Sequence, residues 1–136
     1  MRILSATAHG ALDYLLAIAL GMAPLAFALM GGYATVCYVL AGSFLVVALL
    51  TDSPMGATQL IPYRIHGGLD LVSGLVFIGS PFLFGFSAHN PTARAFFIAF
   101  GIVYLLLWLL TDWSGRVHSE MNDSPSENLA GRPEHL

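Results

Sequence analysis

Apolar residues fill the chain in two long blocks, and polar residues collect where those blocks break. No charged side chain occurs from Tyr14 to Thr51, a run of 38 residues. A bilayer-crossing helix needs about 20 residues, so this run holds two spans. Gly31-Gly32-Tyr33 interrupts it and reads as a tight turn. The spacing predicts helices over roughly 8–30 and 33–51. The second block predicts two more, over 66–86 and about 91–111. Between them Ser87-Ala88-His89-Asn90-Pro91 carries turn chemistry, with Asn90 able to cap the next helix and Pro91 suited to its first position.

The blocks are continuous rather than alternating. Open sheet edges leave backbone groups unsatisfied in lipid, and barrels read as ten-residue alternating segments, so helices are the expected element. The expected fold is an all-α membrane protein of four transmembrane helices, arranged as two parallel-repeat helical hairpins. Residues 1–113 form this domain, and the Ser-, Asn-, Glu-, Gly- and Pro-rich stretch 114–136 reads as a disordered polar tail.

Self-comparison divides the domain in two. His9-Gly10-Ala11-Leu12-Asp13 matches His66-Gly67-Gly68-Leu69-Asp70 at an offset of 57. At that offset Ala17 meets Gly74, Pro24 meets Pro81 and Phe27 meets Phe84. Leu49-Leu50-Thr51-Asp52 matches Leu109-Leu110-Thr111-Asp112 at an offset of 60, and Phe44 meets Tyr104. An internal duplication follows, with repeat 1 over about 7–52 and repeat 2 over about 64–112. Each repeat crosses twice, so both share one orientation about a pseudo-two-fold axis along the membrane normal.

Composition sharpens the class. Of the 136 residues 57% are hydrophobic and only 10% charged, against about 25% charged in soluble domains. Five arginines, no lysine and a net charge of −3 give no basic field for nucleic acid. Cys37 has no second cysteine to pair with. Arg2, Arg64, Arg116 and Arg132 fall on one side of the four spans and Arg94 on the other. The positive-inside rule then places both termini and the central loop in the cytoplasm, with the chain in the cell (inner) membrane.

The late first-helix segment Ser80-Pro81-Phe82, followed by Leu83-Phe84-Gly85-Phe86, resembles the signature of the SPW-repeat family of small bacterial integral membrane proteins. The first half carries Ala23-Pro24-Leu25 at that place, and both copies lack the signature tryptophan. The resemblance spans about residues 5–113. It implies paired-helix repeats and a membrane location, and supplies no catalytic residues.

The candidate chemistry lies in the repeated residues. His9, Asp13 and Ala17 are four apart, as are His66, Asp70 and Gly74, so each trio forms one stripe on a helix face. Small and polar residues favour a bundle interior over lipid, so the stripes of helices 1 and 3 are expected to face inward. His9, Asp13, His66 and Asp70 would then sit at similar depth. Asp52 and Asp112 end the second helix of each pair, where a carboxylate opposes the helix dipole and seeks a cation such as Arg64 or Arg116. Pro24 and Pro81 are expected to kink their helices. Trp108, Trp113, Tyr33 and Tyr63 read as membrane-interface aromatics.

Several functions fit this pattern. The first is a non-enzymatic scaffold or accessory subunit, packing against another membrane protein or itself within the lipid bilayer. There the His/Asp groups fix helix register, and no cofactor is called for. The second is a binding protein in which the four residues ligate a divalent metal, or His9 and His66 hold a haem. The third is ion or proton movement, against which stands the absence of a polar relay across the apolar spans. No nucleophile elbow, phosphate loop or His-Glu-x-x-His motif points to an enzyme.

Overall fold

The computed structural model describes residues 3–113; the tail expected over 114–136 lies outside the described residues, as do Arg2, Arg116 and Arg132. Four helices follow in order: α1 (Ala6–Ala26), α2 (Gly32–Leu50), α3 (Tyr63–Leu83) and α4 (Pro91–Leu110). Each is long and apolar enough to cross a membrane, which makes the chain a multi-pass membrane protein. α1 packs along α2, and α3 along α4, as two hairpins.

The helix starts follow local chemistry. The Ser5 hydroxyl accepts from the Ala8 amide at 3.2 Å and caps α1. Asn90 accepts from the Ala93 amide at 2.9 Å, and Pro91 opens α4 as expected. Gly31, at φ +60°, turns the chain into α2.

The ends of α1 and α3 correct the expected boundaries. Both stop two residues after their prolines, at Ala26 and Leu83, rather than running on to 30 and 86. Pro24 and Pro81 thus lie in the last helical turn. Their carbonyls accept from Leu29 at 3.0 Å and from Ser87 at 2.9 Å, so the loop folds back over the helix end. One residue past each C-cap the chain turns left-handed, at Ala28 (φ +51°) and Gly85 (φ +71°). α3 also starts three residues before His66, which places both histidines fourth in 21-residue helices.

The seam between α3 and α4 is drawn tight by Gly74 and Gly101. A Cβ on Gly101 would stand 2.7 Å from the Gly74 carbonyl oxygen. Gly74 therefore serves the close approach of α3 to α4. The hairpins meet through aromatic rings. Phe44 of α2 lies 5.3 Å from Tyr104 of α4 and 6.1 Å from Phe77 of α3. Leu20, Cys37, Phe97 and Phe100 fill the same core.

The outer surface is apolar, with Leu25, Val39 and Phe84 among many large side chains left exposed. Such a surface suits acyl chains, and α2 is the least buried helix of the four.

The inter-hairpin contacts come in matched pairs. The amides of Ile3 and Leu4 donate to the Leu110 carbonyl, while those of Leu60 and Ile61 donate to Leu50. Asp112 N–H donates to Leu4, and Asp52 N–H to Ile61. The segment leading into each first helix is thereby tied to the end of the other second helix.

Candidate metal centre

His9 and Asp13 lie in the first two turns of α1, His66 and Asp70 in the first two turns of α3. The four-residue spacing stacks each pair on one face, and the strapped helix ends bring the faces together. All four side chains are buried, with His9 fully enclosed. One donor atom from each lies within 4.8 Å of the other three.

The distances that involve a histidine are nearly uniform. His9 Nε2 stands 3.4 Å from His66 Nε2, 3.3 Å from Asp13 Oδ2 and 3.1 Å from Asp70 Oδ2. His66 Nε2 stands 3.0 Å from Asp13 Oδ2 and 3.5 Å from Asp70 Oδ2. Each histidine is nearer the aspartate of the other hairpin than the one a turn along its own helix.

The far side of each ring fixes what the near side offers. His9 Nδ1 meets the Thr111 hydroxyl at 2.9 Å, and His66 Nδ1 meets Thr51 at 2.9 Å. A hydroxyl has one proton. Thr111 donates it to the Leu107 carbonyl at 2.6 Å, and Thr51 donates to Val47 at 2.7 Å. Both hydroxyls must then accept, so both Nδ1 atoms carry hydrogen. With both rings neutral each Nε2 holds a lone pair facing its counterpart and two carboxylates, and a further proton on His66 Nε2 would donate to Asp13 Oδ2 at 3.0 Å. Each orienting threonine belongs to the opposite hairpin.

Two neutral rings and two ionised carboxylates in this buried space would carry a formal charge of −2. Unpaired buried charge is costly, and the cluster calls for positive charge among its four donors. Asp70 Oδ2 is buried without a hydrogen-bond partner, despite Nε2 atoms at 3.1 and 3.5 Å.

Aromatic and apolar groups cover the polar end. Trp113 sets its ring edge-on to His9, with centroids 4.7 Å apart, and lies 4.9 Å from Tyr63. Met55 covers the other flank over Gly10, held by the Tyr14 hydroxyl donating to its carbonyl at 2.8 Å. The space lined by His9, Asp13, Thr51, Met55 and His66 has no room for a water molecule.

The sequence picked out the four ligand candidates and missed the residues that orient and cover them. Thr51 and Thr111 stood inside the repeated Leu-Leu-Thr-Asp, one position before the aspartates that drew attention. Tyr63 and Trp113, read as interface aromatics, pack around the histidines. Asp52, Arg64 and Asp112 lie at the same end: Asp52 and Asp112 follow the two second helices, and Arg64 is exposed in the first turn of α3. Cys37 is fully buried in the core, and His89 is exposed in the loop before α4.

Compared with known proteins, the chain matches no family model, no curated protein and no solved structure.

Proposed function

We infer that this membrane protein binds a divalent metal ion through His9, Asp13, His66 and Asp70. The observation that carries the reading is the convergence of two Nε2 atoms, each ring anchored by a threonine on Nδ1, with two carboxylates in a buried site. Metal-ligating histidines characteristically donate their other N–H to an outer partner, and the threonines supply it. A dipositive ion would bring the charge of the cluster to zero.

A metal ion fits this site better than a haem does. Carboxylate oxygens stand within 3.5 Å of both imidazole nitrogens, where a porphyrin plane would have to pass. With all four side chains buried, the role is binding rather than catalysis. The matched contacts and the repeated residues support an internal duplication as the origin of the site. The arginine distribution supports a cytoplasmic location for its end of the bundle.

The test is elemental analysis and native mass spectrometry of the full chain, purified from its own membranes in mild detergent. About one divalent ion per chain is expected, removable by chelator and restored by adding metal. The His9→Ala/His66→Ala variant should carry none. A metal-free protein that takes up no added ion, isolated instead with a stoichiometric protein partner, would overturn the reading in favour of an accessory subunit.

A further inference from the structure

We propose that the ion is of the zinc class, held in closed four-coordination by protein groups alone, and that it bolts the two hairpins together. This rests on the metal-binding reading above and says which ion the site takes and what the ion does.

The ion class follows from the distances. Four ligands at about 2.0–2.1 Å in tetrahedral array stand about 3.3–3.4 Å from one another. The five separations that involve a histidine run from 3.0 to 3.5 Å, and the sixth, between the two carboxylates, is within 4.8 Å, so the ion would draw the aspartates inward. Calcium takes six to eight oxygens at longer range, and magnesium keeps several waters. Two imidazoles, two carboxylates and no space for water suit neither.

The closed shell also excludes the ion from passing chemistry. Catalytic zinc keeps one open position for water or substrate, whereas structural zinc has all four filled by protein. Here Trp113, Tyr63 and Met55 cover the polar end, and the apolar core of Leu20, Phe77 and Phe97 lies along the bundle beyond.

The bolt follows from where the ligands originate. Each hairpin gives one histidine and one aspartate, and each histidine is oriented by a threonine of the other hairpin. Removing the ion leaves two carboxylates facing two lone pairs across the junction. Protons are the rival filling: a proton on His66 Nε2 donates to Asp13 Oδ2 at 3.0 Å, which still leaves Asp70 Oδ2 without a hydrogen bond.

Cobalt(II) substitution of the full chain reads the coordination, and spin labels read the bolt. Tetrahedral Co2+ should give intense visible bands, abolished by one equivalent of Zn2+ and untouched by Mg2+ or Ca2+. Labels at Leu15→Cys and Val72→Cys, in a Cys37→Ala background, sit at matched exposed positions of α1 and α3. Their distance distribution should be narrow with Zn2+ and broaden at least twofold with chelator, reversibly. Weak six-coordinate cobalt bands, or a distribution indifferent to chelator in protein that binds Zn2+, would overturn this proposal and leave metal binding standing. Failure to take up Co2+ or Zn2+ at all would overturn both.

Discussion

His9 rests its Nδ1 on the hydroxyl of Thr111, 102 positions away and in the other hairpin, at 2.9 Å. That hydroxyl spends its only proton on Leu107. One hydrogen bond at the end of a helix therefore decides which nitrogen of a distant histidine is free to bind.

Replacing either threonine by valine keeps shape and removes the acceptor. Metal affinity should fall about 10–100-fold for Thr51→Val and for Thr111→Val, the range for outer partners of metal-bound histidine. Thr→Ser should restore it. Competition with a chromophoric chelator measures both.

Asp70→Asn changes the charge of the cluster with little change in size. The ion then sits in a site one negative charge short, and Asp13→Asn should behave alike because the pair is matched. Either variant should bind Zn2+ at least about tenfold more weakly by the same competition, and the double variant should lose stoichiometric metal.

Lowering the pH should release the ion. Protons compete for both Nε2 atoms and both carboxylates, so uptake frees protons and affinity falls as acidity rises. Retained metal after equilibration across a pH series checks the direction, and an acid-stable complex would contradict it.

Glycine substitutions separate packing from propensity. A Cβ on Gly101 would meet the backbone of Gly74 and Ile78 within 3 Å, where nothing can yield cheaply. Gly101→Ala should cost about 1–3 kcal/mol of stability in detergent unfolding. At Gly42 a Cβ meets nothing within 4 Å, so Gly42→Ala should be neutral or gain up to about 1 kcal/mol.

Ala28 occupies the left-handed region at φ +51°, where the second hairpin has Gly85 at φ +71°. A side chain there costs about 1–2 kcal/mol. Ala28→Gly should raise stability by up to about 1 kcal/mol, less than the full strain because glycine is freer when unfolded.

The four spans were legible because lipid allows little else: about 20 predominantly apolar residues in a row have to be helix. The offset of 57 likewise displayed His9, Asp13, His66 and Asp70 as repeated stripes. Boundaries read less well, since apolar residues run on past Ala26 and Leu83 while the prolines and the left-handed residues after them end the helices.

Taken alone, then, the sequence determined a membrane protein of two like hairpins and the residue types available at one end. Helical period and hydropathy are local properties, and local properties survive in a string of letters. The convergence of the quartet, the pairing of each histidine with the other hairpin's aspartate and threonine, and the free Nε2 atoms were decided by tertiary structure. A half-turn rotation of α1 or α3 would keep every hydrophobic pattern and point the stripes apart. What fixes that rotation is the pair of backbone straps, Leu4 to Leu110 and Ile61 to Leu50, with ring packing at Phe44 and Tyr104. Those contacts join residues far apart in the chain, and spacing along a single helix does not encode them.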